Sequence, residues 1–232
     1  MNHHTNILRL RAVATVLEEW KEKIVFVGGA TVSLYASRPL AVTVRVTDDV
    51  DVVVELVSTA DFYKMQERLL ELGFKNDTTA PIISRFLYQD LKVDFMPIDP
   101  SVLGFSNRWY VDGVKYSLEH SLTDKQSIRI FSSSYFIASK LEAFKTRGKG
   151  DLLGSHDLED IIFVLDNRDG VLQELMDADN EVKAYLKKEF SFLLKKNLFE
   201  EALLGNVEQS DQIFRKNRIL EILTAFCNYK IS

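Results

Sequence analysis

The run Asp49-Val50-Asp51-Val52-Val53-Val54 constrains this chain more than any other segment. β-Branched residues favour a strand, which the pattern predicts over residues 50–56. On a strand, residues two apart point to the same face. Asp49 and Asp51 are therefore expected side by side, at the rim of a strand whose other members are apolar. Two like charges held that close raise each other's pKa unless a cation lies between them. Magnesium takes oxygen ligands and usually keeps substrate phosphates in its shell. An acidic loop before a strand is the plain alternative, and Asp48, facing the other way, fits it and receives no role.

Two further elements flank this strand in sequence. The apolar run 24–27 ends in Gly28-Gly29 and leads into a short helix over 30–36. Glycines let backbone approach a ligand closely, and a helix start offers free N–H groups to phosphate. Taken alone this is a tight strand-to-helix turn. Later, residues 82–89 and 91–96 read as two strands joined at Gln89-Asp90, with Asp94 flanked by Val93 and Phe95. If that second strand neighbours the first, Asp94 is a natural third ligand; otherwise it lies on a half-exposed edge.

The remaining pattern is α+β first and helical afterwards. An amphipathic helix is expected over 5–22, with Thr5 as a cap and Leu10, Val13, Ala14, Leu17 and Trp20 near one face. Ser58 is expected to cap a helix running to Leu72, with Gly73 at its exit. Asp112-Gly113, between alternating apolar residues, predicts a hairpin over 109–119. Ser132–Ser134 and Ser155 are expected to cap helices over 134–147 and 156–166, separated by Gly148-Lys149-Gly150. From residue 170 onward only helical periodicity remains, broken near Gly205. The expected boundary divides residues 1–131 from residues 132–232.

Val27-Gly28-Gly29-Ala30-Thr31, then Arg45-x-Thr47-x-Asp49-Val50-Asp51, then Val93-Asp94-Phe95 together resemble the motifs of the DNA-polymerase-β-like nucleotidyltransferase superfamily. The Arg-x-Thr-x-Asp-x-Asp form is similar to that of the AbiEii-type toxin nucleotidyltransferases. Ser139-Lys140-Leu141-Glu142-Ala143-Phe144-Lys145-Thr146-Arg147 and the Asp157/Asp160 pair resemble that family's later motifs. The spacing from Gly29 to Asp49 is longer than in many superfamily members, and the insert 37–44 must form a loop or an extra strand.

The resemblance implies a mixed β-sheet flanked by helices in residues 1–131, the nucleotidyltransferase catalytic domain. A helical bundle, residues 132–232, would complete the active-site cleft. It implies that Asp49, Asp51 and Asp94 hold metal, two Mg2+ ions or Mn2+ in their place, and that Asp94 helps activate the attacking group. Gly28, Gly29, Thr31, Arg45, Thr47, Lys140 and Arg147 would bind the nucleotide, with Lys140 meeting the triphosphate as a mobile point charge. Asp157 and Asp160 would either orient Lys140 and Arg147 or act near the acceptor, and Arg147 could simply pair with those acids. The implied chemistry is transfer of a nucleoside monophosphate from an NTP, with pyrophosphate leaving.

Composition narrows the partners. The chain has 232 residues, 46% of them hydrophobic and 27% charged, a balance ordinary for a globular protein. Its net charge of −5 argues against a broad nucleic-acid surface, so no long tract is expected. No apolar run suits a membrane span or signal peptide. The single cysteine, Cys227, fits a reducing, cytoplasmic compartment and reads as a core thiol. None of the four histidines has neighbours at metal-ligand spacing. The favoured reading is a toxin that modifies a tRNA end or another macromolecule and is paired with an antitoxin protein. A small-molecule nucleotidyltransferase of the antibiotic-modifying kind, and a non-catalytic NTP-binding module, are the competing ones.

Overall fold

A computed structural model describes residues 2–38 and 44–230. The insert expected between 37 and 44 lies largely outside the described residues. The chain divides into two compact units, one comprising Met1–Leu34 and Leu40–Ser132, the other Tyr35–Pro39 and Ser133–Ser232. No helix among the described residues is long and apolar enough to cross a membrane.

The first unit is α+β, built on a mixed seven-stranded sheet. Its strands are β1 (Ile24–Val27), β2 (Asp49–Val54), β3 (Lys75–Asn76), β4 (Arg85–Tyr88), β5 (Leu91–Pro97), β6 (Leu118–Thr123) and β7 (Gln126–Ile130), in the order β3-β4-β5-β2-β1-β7-β6. β2 lies antiparallel to β1 and parallel to β5, so it sits in the sheet interior. That position explains its valines. Val50, Val52 and Val53 are fully buried, as central strands demand. Phe86 and Phe95 pack edge to face at 5.6 Å, both fully buried.

Helix α1 (Asn2–Val16) carries the expected stripe, and Leu10, Val13 and Leu17 are fully buried. It ends earlier than the pattern predicts. From Glu18 to Lys23 the chain tightens into a 3₁₀ segment, beginning where Trp20 N–H donates to the Leu17 carbonyl. Trp20 is left half-buried, and Thr5 lies inside the helix and is no cap. The short helix after the diglycine is likewise 3₁₀, Gly29–Tyr35. Helix α2 (Thr59–Glu71) is capped as expected: Ser58 Oγ accepts from Asp61 N–H at 3.1 Å, and Gly73 exits at φ +93°.

The hairpin expected at Asp112-Gly113 does not form. Residues Tyr110–Lys115 make a short helix, α4, after a one-turn helix α3 (Pro100–Leu103). The reason lies in what Gly113 serves. It does not adopt the positive φ that a tight hairpin turn needs. A Cβ there would meet the Phe131 ring at 2.6 Å, so glycine is needed for ring clearance. The hairpin of this region is β6–β7, which turns at Asp124-Lys125.

The second unit is helical: α5 (Ser133–Thr146), α6 (His156–Asn167), α7 (Val171–Asp177), α8 (Asn180–Leu193), α9 (Phe199–Asn206) and α10 (Gln212–Asn228). Ser155 caps α6, its Oγ accepting from Leu158 N–H. The break expected near Gly205 falls just after it, because Gly205 is still inside α9 and Val207 leaves the helix with extended backbone. Cys227 sits in α10, only partly buried, and its thiol donates to the Lys187 carbonyl.

Candidate metal centre

The sheet register assembles the acids. Asp51 on β2 lies directly beside Asp94 on the parallel neighbour β5. Residues opposite one another on paired strands share a face, and Asp49 joins them from two positions away. One carboxylate oxygen from each of Asp49, Asp51 and Asp94 lies within 4.8 Å of the others. The three could therefore hold a metal ion. Asp94 is not on a sheet edge: β5 is paired on both sides, and Asp94 is only 3% exposed. Asp49 and Asp51 are half-buried.

The diglycine turn touches the same spot. Val27, the last residue of β1, is the antiparallel partner of Asp51. Gly28 then turns with φ +74°, and a Cβ on it would fall 1.9 Å from Asp51 Oδ2. Only glycine satisfies both demands. Thr31 is fully buried, and its hydroxyl donates to the Gly28 carbonyl at 2.9 Å, so it shapes the turn. Gly29 is half-buried at the start of the 3₁₀ segment.

Arg45 and Thr47 serve the approach to β2. Thr47 is 4% exposed, with its hydroxyl donating to the Asp49 carbonyl at 3.1 Å. Asn6 of α1, fully buried, clamps this segment through both ends of its amide. Its Nδ2 donates to the Arg45 carbonyl at 2.9 Å, and its Oδ1 accepts from Thr47 N–H at 3.3 Å. Arg45 itself is half-buried.

A fourth charged group stands among the acids. Arg85 Nε donates to Asp94 Oδ1 at 2.7 Å, and its Nη2 donates to Asp94 Oδ2 at 2.6 Å and to Asp49 Oδ2 at 3.1 Å. This is the two-pronged pairing that guanidinium and carboxylate form best. Hydrogen bonding to Asp94, then the charges of Asp94, Asp49 and Asp51, raise the arginine's pKa further above its ordinary value despite partial burial. The three carboxylates outnumber this one guanidinium. The repulsion that the acids alone would suffer is thus relieved in part within the protein.

Arg85 and Asn6 escape a reading by motif, yet both leave signals. A two-residue turn at Gln89-Asp90 puts Tyr88 opposite Leu91 and therefore Arg85 opposite Asp94, which is the register observed. Asn6 falls on the stripe continued by Leu10, Val13 and Leu17, where a polar residue must find buried partners.

Lys140, Arg147, Asp157 and Asp160 come together in the second unit. Lys140 on α5 is 6% exposed, and its Nζ lies 3.1 Å from Asp157 Oδ1 and 2.6 Å from Asp160 Oδ2 on α6. Arg147 grips Asp157 with two bonds of 2.9 and 2.7 Å while its side chain remains 72% exposed. Burial pushes the Asp157 carboxyl up, but the hydrogen bonds and charges of Arg147 and Lys140 outweigh it and hold it below the usual range. The four charges cancel. In this arrangement the acids orient Lys140 and Arg147, and the Lys140 ammonium is already fully engaged.

No family model matches the chain, and no curated protein matches its sequence.

Proposed function

We propose that this chain is a metal-dependent nucleotidyltransferase, moving a nucleoside monophosphate from an NTP to an acceptor hydroxyl. One observation carries the reading: Asp49, Asp51 and Asp94 converge within 4.8 Å from adjacent parallel strands, beside a glycine turn that leaves room for them. The donor set is hard and all oxygen, from three carboxylates, which suits Mg2+ or Mn2+ over softer metals. The residues that would hold the ion, or a pair of ions, are those three aspartates. When bound, such ions neutralise the attacking and leaving oxygens of an in-line displacement.

The reaction is an attack of the acceptor oxygen on the α-phosphorus. The bond to the α–β bridging oxygen breaks, and pyrophosphate leaves. Asp94 is the carboxylate proposed to take the acceptor's proton. Both of its oxygens are held by Arg85, so that transfer waits on the guanidinium moving away. The Gly28-Gly29 turn presents backbone without side-chain bulk, as close approach to phosphate requires. Lys140 can contribute to triphosphate binding only by leaving two buried carboxylates, which makes its proposed role there a conditional one.

The acceptor proposed is a tRNA end or another macromolecule, and the biological setting a toxin opposed by an antitoxin protein, as the AbiEii-like motifs imply. A small-molecule acceptor is the second reading. Incubation with each α-labelled NTP, Mg2+ and total cell extract tests the proposal. Wild type should label one class of acceptor, and Asp51→Ala or Asp49→Ala should abolish the label while leaving the fold intact by circular dichroism. Absence of label from every NTP, with Mg2+ or Mn2+, would overturn it. Growth arrest on expression that disappears with Asp51→Ala supports the toxin setting over antibiotic modification.

A further inference from the structure

The acid cluster already contains a cation of its own, and that fact has consequences for how anything else enters. We propose that Arg85 is the resident counter-ion of the cluster, displaced from the carboxylates by an arriving divalent ion and handed over to the polyphosphate that accompanies it. The polyphosphate half of this inference rests on the nucleotidyltransfer reading; the exchange of one cation for another does not.

A carboxylate as buried as Asp94 is costly without a partner. Arg85 is what permits the cluster to exist before any ion arrives. Its hold is unequal. Asp94 receives two short bonds, whereas Asp49 receives one longer bond from a nitrogen that Asp94 shares. Asp49 is also the more exposed of the two carboxylates, at 36% against 4%. The Asp49 contact is therefore the first to yield.

The acids and the arginine also differ in freedom. Asp49, Asp51 and Asp94 project from two interior strands by one short side chain each. Arg85 reaches the cluster along a flexible stem from β4, and its Nη1 makes no hydrogen bond with any described residue. The mobile partner is thus the arginine. A divalent ion seated on the carboxylates repels the adjacent guanidinium, and phosphate oxygens are the acceptors that its planar fork matches best.

Binding order follows. A divalent ion alone must compete with Arg85, and a polyphosphate alone meets a cluster of three carboxylates. Together each removes the other's obstacle, so the ion and the polyphosphate bind with positive coupling.

Mn2+ binding, followed by loss of its free paramagnetic signal, tests the proposal with and without a non-hydrolysable nucleoside triphosphate. Arg85→Gln should bind Mn2+ alone roughly tenfold or more tightly than wild type. The triphosphate should tighten Mn2+ binding strongly in wild type and much less in Arg85→Gln. Arg85→Lys, which keeps the charge but loses the fork, should keep Mn2+ binding alone weak. Should Arg85→Gln not fold without an ion, its folding on addition of Mn2+ reports the same exchange, and failure to fold then counts against it. Mn2+ affinity no higher in Arg85→Gln than in wild type overturns the exchange, even where the wild type binds Mn2+–triphosphate well. Tighter Mn2+ alone in Arg85→Gln, with no triphosphate effect on either protein, upholds the exchange and removes both the hand-over and the nucleotidyltransfer reading.

Discussion

Gly28 shows how one missing side chain can define a site. Its backbone has φ +74°, and the space a Cβ would need is filled by the Asp51 carboxylate. Gly28→Ala is therefore expected to push Asp51 aside in addition to straining the turn by about 1–2 kcal/mol. The expected outcome is a protein that still unfolds cooperatively but has lost most of its divalent-ion binding, read by calorimetric titration. Ion affinity unchanged in that variant would mean that Asp51 does not need its present place. Arg85 and Asp94 carry the complementary lesson. A nine-residue separation in sequence becomes a direct pair across a two-residue turn, so the arginine was readable from register although no motif contains it.

At the scale of elements, what could be read in advance depended on whether local chemistry and tertiary need agreed. β2, the Ser58 and Ser155 caps and the diglycine turn were legible because propensity, capping and burial all point the same way. Residues 110–115 were not. Asp112-Gly113 carries a hairpin's composition, but the Phe131 ring claims the space over Gly113, and that contact is invisible without the fold. Gly113→Ala would force the ring of Phe131 against a new methyl at 2.6–2.8 Å, an overpacking expected to lower stability by about 1–3 kcal/mol in denaturant titration. No loss would mean that α4 shifts freely. The mouth of the site was legible as an Asp-x-Asp strand. The reach of Arg85 to Asp49 and the Asn6 clamp required knowing which strands and helices lie beside it.

At the scale of the whole molecule, the two units rest on different electrostatic devices. The first gathers three carboxylates beside Arg85, and the second pairs Lys140 and Arg147 with Asp157 and Asp160. Lys140→Met should leave Asp157 and Asp160 buried without their shared cation. The cost expected is about 3–5 kcal/mol, read as lost hydrogen-exchange protection along α5 and α6. Asp160→Asn in the same chain should restore part of it. The pH dependence has a defined sign. Because the Asp157 pKa is lowered on folding, its stabilisation is complete above the ordinary aspartate value of about 4 and is lost as pH falls toward the lowered one. Wild-type protection in α6 should therefore weaken only on the acid side of that range. Protection already declining at neutral pH would contradict the pairing.

Tyr35 is sealed against Phe136 at 4.4 Å, its carbonyl accepts from Arg168, and Ser37 exchanges bonds with Asn167 and Asp169. A ribosome makes Tyr35 and Ser37 long before it makes any of those partners, an interval on the order of ten seconds at ordinary elongation rates. During that time the nascent chain carries Tyr35 without the Phe136 ring and the Arg168 guanidinium that it meets in the fold. A chain cut short before Ser133 would never acquire those contacts, and would expose the Tyr35 ring to chaperones and proteases.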